Sequence, residues 1–175
     1  ATTQVVVNWA AVPSATGYNV RCSRSTTYAA SSGNVSATVT SPTVTRTFTG
    51  LNAGTTYYCN VQAVVGGSTG SWSGNGSQTT STPAAPTGLA SASVTQTGFV
   101  LNWSGVSGAY QYGARCTTAA DTSYASPFLN VTNLSSATTT ITGRTANTSY
   151  ICSVQTRGYN ANSSYSANVT ITTLP

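Results

Sequence analysis

The stretch that decides the fold is Phe99-Val100-Leu101-Asn102-Trp103. Its large apolar residues recur at every second position, which places Phe99, Leu101 and Trp103 on one face of a β-strand. Thirteen residues after the tryptophan comes Arg115-Cys116, and further on Tyr150-x-Cys152 opens a second segment that alternates by two. Strand periodicity at these landmarks predicts a β-domain.

The same framework occurs earlier in the chain. Asn8-Trp9 is followed thirteen residues after the tryptophan by Arg21-Cys22, and then by Tyr57-x-Cys59. The two copies are offset by 94 residues at the tryptophan and first cysteine, and by 93 at the second cysteine. A repeat of this length is a whole small domain, so the 175 residues predict two tandem domains.

Outward from the framework, short alternating segments predict six strands in the second copy and five in the first. In the second copy they are A (89–94), B (99–103), C (110–117), E (138–142), F (150–156) and G (165–173). The first copy matches from strand B onward, with strand G at 71–80. Turn residues separate the segments and no stretch has helical periodicity, which favours antiparallel β-sandwiches with essentially no helix.

The four cysteines fall at matching positions, two in each copy. This pattern predicts one disulfide per domain, Cys22–Cys59 and Cys116–Cys152, and hence an oxidising, extracellular compartment. A zinc site is the alternative, but it would have to span two domains without C-x-x-C spacing. The chain begins at Ala1 and contains no Met, so we expect a processed product or a segment of a longer polypeptide.

The charge content argues against a catalytic or metal-binding site. Six Arg and Asp121 are the only charged residues, and His, Lys and Glu are absent. The chain therefore lacks the second carboxylate that paired-carboxylate catalysis needs and a base to activate a serine nucleophile. It also lacks the carboxylates or imidazoles of a metal site. We therefore predict no enzyme, catalytic residue, metal or cofactor. The arginines are scattered and no apolar run reaches about 18 residues, which predicts neither nucleic-acid binding nor a membrane span.

Each copy resembles a fibronectin type III domain. The resemblance rests on Ala85-Pro86-Thr87-Gly88-Leu89 before strand A, Leu101-Asn102-Trp103 in strand B, Tyr18-Asn19-Val20 in strand C, and the run 48–57 that ends at Tyr57 in the tyrosine-corner position. It implies an all-β fold of two tandem sandwiches. Most members of that family lack a disulfide. An immunoglobulin domain is the secondary alternative, because its tryptophan lies on strand C rather than strand B.

The two predicted domains are unequal. We place a fibronectin type III-like domain without its own strand A at 1–82 and a complete one at 83–175. Excision from a longer array would explain the difference. The alternative is β-strand addition by another subunit at domain 1, which would give head-to-tail self-association.

Some residues lie outside the core pattern and are candidate contacts. The aromatic ones are Tyr28, Trp72, Tyr124, Tyr159 and Tyr165, which could bind a carbohydrate or cell-surface ligand or else cover the sandwich edges. Eight Asn-x-Ser/Thr sequons make candidate glycosylation sites, although a chain this rich in Ser and Thr contains several by composition alone. They are Asn34, Asn75, Asn102, Asn130, Asn133, Asn147, Asn162 and Asn168.

Together these features predict a non-enzymatic, secreted structural or adhesive protein, as a subunit or segment of a surface fibre or filament. A spacer or carbohydrate-binding module of a larger secreted enzyme is the alternative, and a receptor ectodomain is a third. Cell adhesion and filament formation follow from the resemblance and from the low-charge, hydroxyl-rich surface.

Overall fold

The computed structural model describes residues 3–30 and 32–175, in which all regular structure is β-strand. The strands of the first domain are β1 (Val5–Asn8), β2 (Gly17–Ser23), β3 (Val35–Thr40), β4 (Thr45–Phe48), β5 (Thr56–Val65), β6 (Ser68–Trp72) and β7 (Gly76–Thr79). Those of the second are β8 (Ala90–Ala92), β9 (Phe99–Asn102), β10 (Gln111–Thr118), β11 (Leu129–Leu134), β12 (Thr138–Ile141), β13 (Ser149–Arg157), β14 (Asn162–Tyr165) and β15 (Val169–Thr172).

The second domain is a sandwich of two antiparallel sheets. One sheet has the order β12-β9-β8, and the other has the order β11-β10-β13, with β14 and β15 both pairing with β13. Alternation along the strands turns Leu101 and Val154 inward, where neither side chain is exposed. Leu89 and Val94, which flank β8, pack on the edge of this core.

The first domain has the same plan with one difference. Its larger sheet has the order β3-β2-β5, with β6 and β7 both pairing with β5. In the described residues its smaller sheet consists of β1 and β4 alone. Val5 is buried on the inner face of β1, whereas Val7 and Trp9 remain partly exposed.

Both predicted disulfides are present. Cys22 lies directly opposite Cys59 in the β2–β5 register, and Cys116 lies opposite Cys152 in the β10–β13 register. Their Cα atoms are 4.1 and 4.2 Å apart. Each bridge therefore joins two neighbouring strands of one sheet and faces the core, and the all-β, two-sandwich prediction is confirmed.

The sequence patterns missed or merged several strands. Strands β3 and β11 had no predicted counterpart, because valines or leucines there alternate with Ser, Thr and Asn and give a weak apolar signal. Strand G was predicted as one segment in each domain, but it is broken into β6 and β7, and into β14 and β15. At the breaks, the Oγ atoms of Ser73 and Ser166 accept the N–H groups of Val61 and Val154.

The turn before β13 contains a tyrosine corner at Tyr150, which is the counterpart of Tyr57, the residue for which the sequence predicted one. The hydroxyl of Tyr150 accepts a hydrogen bond from the N–H of Thr145 at 3.0 Å. In the first domain Leu51 is buried in the corresponding turn, where the second domain has Arg144. Arg144 lies over the ring of Phe128, and that ring packs edge-on against Tyr150. Phe128 therefore provides the apolar side chain in this turn of the second domain.

The chain divides into two compact units. One consists of residues 3–51 and 55–81, and the other of Asn52–Gly54 and Thr82–Pro175. Within the described residues, no helix is long and apolar enough to cross a membrane.

Candidate functional site

Side chains that could perform catalysis or bind a metal are sparse. The described residues contain no group of three or more His, Cys, Asp and Glu side chains, and all four cysteines are in disulfides. The features that could carry function are therefore a carboxylate-centred loop, two arginine–aromatic stacks, an exposed tyrosine pair and a groove beside β1.

Asp121 organises the loop between β10 and β11. Its carboxylate accepts the N–H groups of Ser126 at 2.9 Å and Ala125 at 3.1 Å, and the hydroxyls of Ser123 at 2.8 Å and Thr117 at 3.1 Å. These donors, with the Ser126 N–H first among them, lower the pKa of Asp121 to about 2. The carboxylate is therefore a structural acceptor that holds the loop closed.

The stability of the second domain should depend on pH through Asp121. The folded-state pKa lies below the ordinary value of 3.8, so the stabilisation is present above about pH 4 and lost as the pH falls towards about 2. We expect the urea midpoint to fall over that range in the parent chain. In Asp121→Asn the acid-dependent step should disappear, since no other side-chain carboxylate exists. A parent midpoint that stays constant from pH 5 to 2 would contradict this assignment.

An arginine stacks between two aromatic rings on the outer face of the larger sheet of domain 1. The guanidinium carbon of Arg21 lies 4.0 Å from the ring centre of Tyr28 and 3.9 Å from that of Trp72. Its Nε donates to Asn60 Oδ1 at 2.8 Å, and the Tyr28 hydroxyl donates to Asn75 Oδ1 at 2.8 Å. Burial raises the pKa of the Tyr28 phenol, while nearby Arg21 opposes that rise.

The second domain repeats the stack. The guanidinium carbon of Arg115 lies 4.0 Å from the ring centre of Tyr124 and 3.7 Å from that of Tyr165. Arg115 Nε donates to Ser153 Oγ at 2.9 Å, and the Tyr124 hydroxyl donates to Asn168 Oδ1 at 2.8 Å. Four of the five predicted contact aromatics are thus half-buried, with one ring face against an arginine of their own domain.

The first aromatic residue of each stack has a left-handed backbone conformation. Tyr28 has φ 54° and Tyr124 has φ 57°, in the left-handed region that bulky residues seldom adopt. The same left-handed conformation occurs at the equivalent place in both domains, and in each the ring lies against the arginine. Arg21 and Arg115 were visible in the sequence as matching residues before a cysteine. Of the two aromatic partners in each stack, one lies in the loop that follows the arginine's own strand, and the other is the last residue of β6 or β14.

Removing the stacking arginine should destabilise domain 1. We expect Arg21→Ala to lower the free energy of unfolding by about 1–2 kcal/mol, through lost cation–π contacts and lost cover of the sheet. Arg46→Ala is the matched control, because Arg46 is exposed and its guanidinium carbon lies 5.6 Å from the ring centre of Phe48. Guanidinium chloride unfolding measures both variants, and equal losses would show that only net charge matters.

Tyr159, the fifth predicted contact aromatic, lies on the surface. Its ring meets that of Tyr110 edge-on, with centroids 5.2 Å apart. Tyr159 is 48% exposed and Tyr110 is 44% exposed. This pair is the largest aromatic surface exposed in the described part of the chain, and Tyr110 carried no sequence signal that set it apart from the core tyrosines.

All eight sequon asparagines are exposed. In the first domain, Asn34 donates its amide to the carbonyls of Tyr28 and Ala29, and Asn75 belongs to the stack described above. Asn168 belongs to the second stack. The others lie along strands or at turns, at Asn102, Asn130, Asn133, Asn147 and Asn162. Their glycosylation stays a prediction.

A groove of about 290 Å³ runs along β1 in the first domain. The inner residues Val5, Val7 and Trp9 form one wall, and β5 and β7 contribute Val61 and Gln78. None of the residues that line it is charged. Such a groove suits an uncharged, extended ligand better than a compact polar one.

Comparisons with known proteins agree with this architecture. Residues 1–79 match the family model of the fibronectin type III domain. No curated protein matches the sequence. Among solved structures, a two fibronectin type III domain segment from chicken tenascin is 15% identical, with a TM-score of 0.61, and the match covers 98% of this chain and 93% of that one.

A longer structure is also similar. The FN1–FN3 domains of chicken CNTN1 are 18% identical with a TM-score of 0.49. The match covers 99% of this chain but spans 60% of that one.

Proposed function

We propose that this chain, a tandem of fibronectin type III domains, is a non-enzymatic structural or adhesive element of an extracellular fibre or filament. Domains of this family are typical of extracellular adhesive and structural proteins and are generally non-catalytic. A disulfide in each domain suggests an extracellular location.

The observation that carries the proposal is the nearly uncharged surface of two disulfide-tied sandwiches. The chain has seven charged residues among 175, and three of its six arginines lie against aromatic rings at about 4 Å. Its outer strand faces present mainly Ser, Thr and Asn. Such faces can approach one another without the desolvation cost of burying charge.

Electron microscopy of the purified chain, over a range of concentrations, tests this proposal. Ordered fibres or filaments are the expected result. A chain that stays a monodisperse monomer by light scattering at every concentration, and shows no fibres, would count against assembly as the function.

The exposed Tyr110–Tyr159 pair favours a second candidate, a carbohydrate-binding module of a larger secreted enzyme. Exposed rings can stack on sugar faces. Sedimentation with insoluble cellulose, chitin and xylan tests it, with the Tyr110→Ala, Tyr159→Ala double variant as control. Binding that the double variant loses would support this candidate, whereas binding that it retains would place the contact elsewhere.

A further inference from the structure

The guanidinium of Arg21 is a fixed cation that has no carboxylate partner in its own domain. The rings of Tyr28 and Trp72 cover its two faces, and Asn60 accepts a hydrogen bond from its Nε. Residues 1–82 contain no Asp or Glu. Among the described residues, no acceptor binds the two terminal nitrogens of Arg21, so their N–H groups remain available in the plane of the guanidinium.

Arg21 lines a surface depression of about 310 Å³ on the outer face of the larger sheet of domain 1. Alternation along β2 and β3 brings Asn19, Ser36 and Thr38 to the same face, because Arg21 lies opposite Ser36 and Asn19 lies opposite Thr38. Trp72 also lines the depression. A guanidinium, an amide, two hydroxyls and an indole therefore surround one opening, which we call the Arg21 depression.

The polar groups of the Arg21 depression are held in place and available to a ligand. Asn19 Nδ2 donates to Gln62 Oε1 at 3.0 Å, and Gln62 Nε2 donates to the carbonyl of Gly70 at 2.7 Å, which fixes the Asn19 amide. Ser36 and Thr38 are exposed, and in the part of the chain that the structure describes their hydroxyls form no hydrogen bond. Amide and hydroxyl groups of this kind can pair with the hydroxyls of a sugar.

The second domain shows that the arginine–aromatic stack does not need this polar lining. Arg115 stacks between its two rings in the same way, but Gly113 stands at the place of Asn19. A Cβ atom at Gly113 would lie 3.2 Å from the carbonyl oxygen of Val131, so a side chain there would crowd the neighbouring strand. The stack is thus common to both domains, whereas the amide beside it belongs to domain 1.

We infer that the Arg21 depression binds an acidic sugar, a uronic acid unit of a polysaccharide. The planar fork of a guanidinium matches a carboxylate, which would accept the N–H groups of the terminal nitrogens of Arg21. Asn19, Ser36 and Thr38 would pair with the ring hydroxyls, and Trp72 offers an apolar contact for the C–H groups of the sugar. The volume is at the small end of ligand sites, which span roughly 300–1,000 Å³, so one unit would enter while the rest of the polysaccharide follows the sheet.

The test titrates the full, isotope-labelled chain with a trisaccharide of galacturonic acid and follows it by NMR. We expect saturable shifts of the Arg21 Nε–H, the Trp72 indole N–H and the backbone amides of Ser36 and Thr38. The methyl ester of the same trisaccharide keeps its shape but carries no charge. It should bind at least about tenfold more weakly, because it cannot accept charge-assisted hydrogen bonds from Arg21.

Variants of the chain complete the experiment. Arg21→Lys keeps the charge but loses the planar fork, and it should weaken binding at least about tenfold. Asn19→Gly installs the residue of the second domain and Thr38→Val removes a hydroxyl; each should weaken binding several-fold while the arginine stays stacked. Arg46→Lys is the matched control and should bind as the parent chain does, because Arg46 is exposed and does not line the depression.

Three outcomes would overturn the inference. One is the absence of shifts at Arg21 and Trp72 up to ~10 mM trisaccharide. Another is equal affinity for the methyl ester or for sodium acetate, which would remove either the carboxylate or the sugar from recognition. The third is equal shifts around Arg115, which would show that a stacked guanidinium suffices without the polar lining.

The inference rests on the extracellular role proposed above only for the source of the polysaccharide. Fibres formed by a chain that ignores the trisaccharide would reject the site and keep that role. A monomeric chain that binds the trisaccharide would keep the site and reject assembly.

Discussion

Replacing both Cys116 and Cys152 by alanine should lower the free energy of unfolding of the second domain by about 3–4 kcal/mol. The bridge closes a loop with a sequence separation of 36, and its removal frees the unfolded chain to adopt many more conformations. Both sulfur atoms are also buried, so lost packing adds to the effect. For a domain of this size, the loss is a large share of total stability.

Urea unfolding followed by tryptophan fluorescence measures this loss. Replacing Trp9 and Trp72 together leaves Trp103 to report on the second domain, and replacing Trp103 leaves the signal of the first domain. The matched variant is Cys22→Ala with Cys59→Ala, whose bridge has a separation of 37 and the same predicted entropic effect. Among the described residues, its domain has eight side chains in its buried core cluster against eleven in the other, so it should come closer to unfolding at 25 °C. A loss under about 1 kcal/mol in both domains would show that the sandwiches do not need the bridges.

Leu101→Ala should cost the second domain about 3–4 kcal/mol, because the side chain is fully buried and a cavity remains when it is removed. Leu101 lies in the middle strand of the sheet β12-β9-β8, with neighbours on both sides. The equivalent change in the first domain, Val7→Ala, should cost less than about 1 kcal/mol, since Val7 faces the open groove.

Thermal and urea unfolding of the two variants measure the difference. Leu174→Ala provides a control in the second domain, because Leu174 is 50% exposed and its removal should leave stability unchanged within about 0.5 kcal/mol. Equal losses for Leu101→Ala and Val7→Ala would mean that the groove is closed in solution.

The framework of the fold could be predicted from sequence because it rests on short-range alternation. Phe99, Leu101 and Trp103 recur with period two, and the cysteines repeat at nearly the same offset. These strands and both disulfides could therefore be predicted from the sequence. Strand β3 was not, since its buried contacts come from Val35, Ala37 and Val39, which alternate with hydroxyl residues. A strand so weakly apolar is defined by its pairing with β2 rather than by its own pattern.

The candidate sites were harder to predict than the core. Tyr28, Trp72, Tyr124 and Tyr165 were predicted as surface contacts, but no sequence pattern indicated that each would share an arginine with a second ring. That pairing depends on a left-handed residue in one loop and a break in another strand, which only the folded chain brings together. The position of Gln78 likewise could be recognised only from the strand register, which places it opposite Tyr57.

The position of the bridges between neighbouring strands has a mechanical consequence. When a domain is pulled from its two ends, the residues enclosed by a bridge cannot lengthen the chain while the bridge is intact. For Cys22–Cys59 the enclosed span has a sequence separation of 37, equivalent to roughly 120–130 Å of extended chain. Under tension, each oxidised domain would therefore lengthen only by the residues outside its bridge, and the enclosed residues would stay held together by the disulfide. Reduction of the disulfide would let the enclosed residues extend as well.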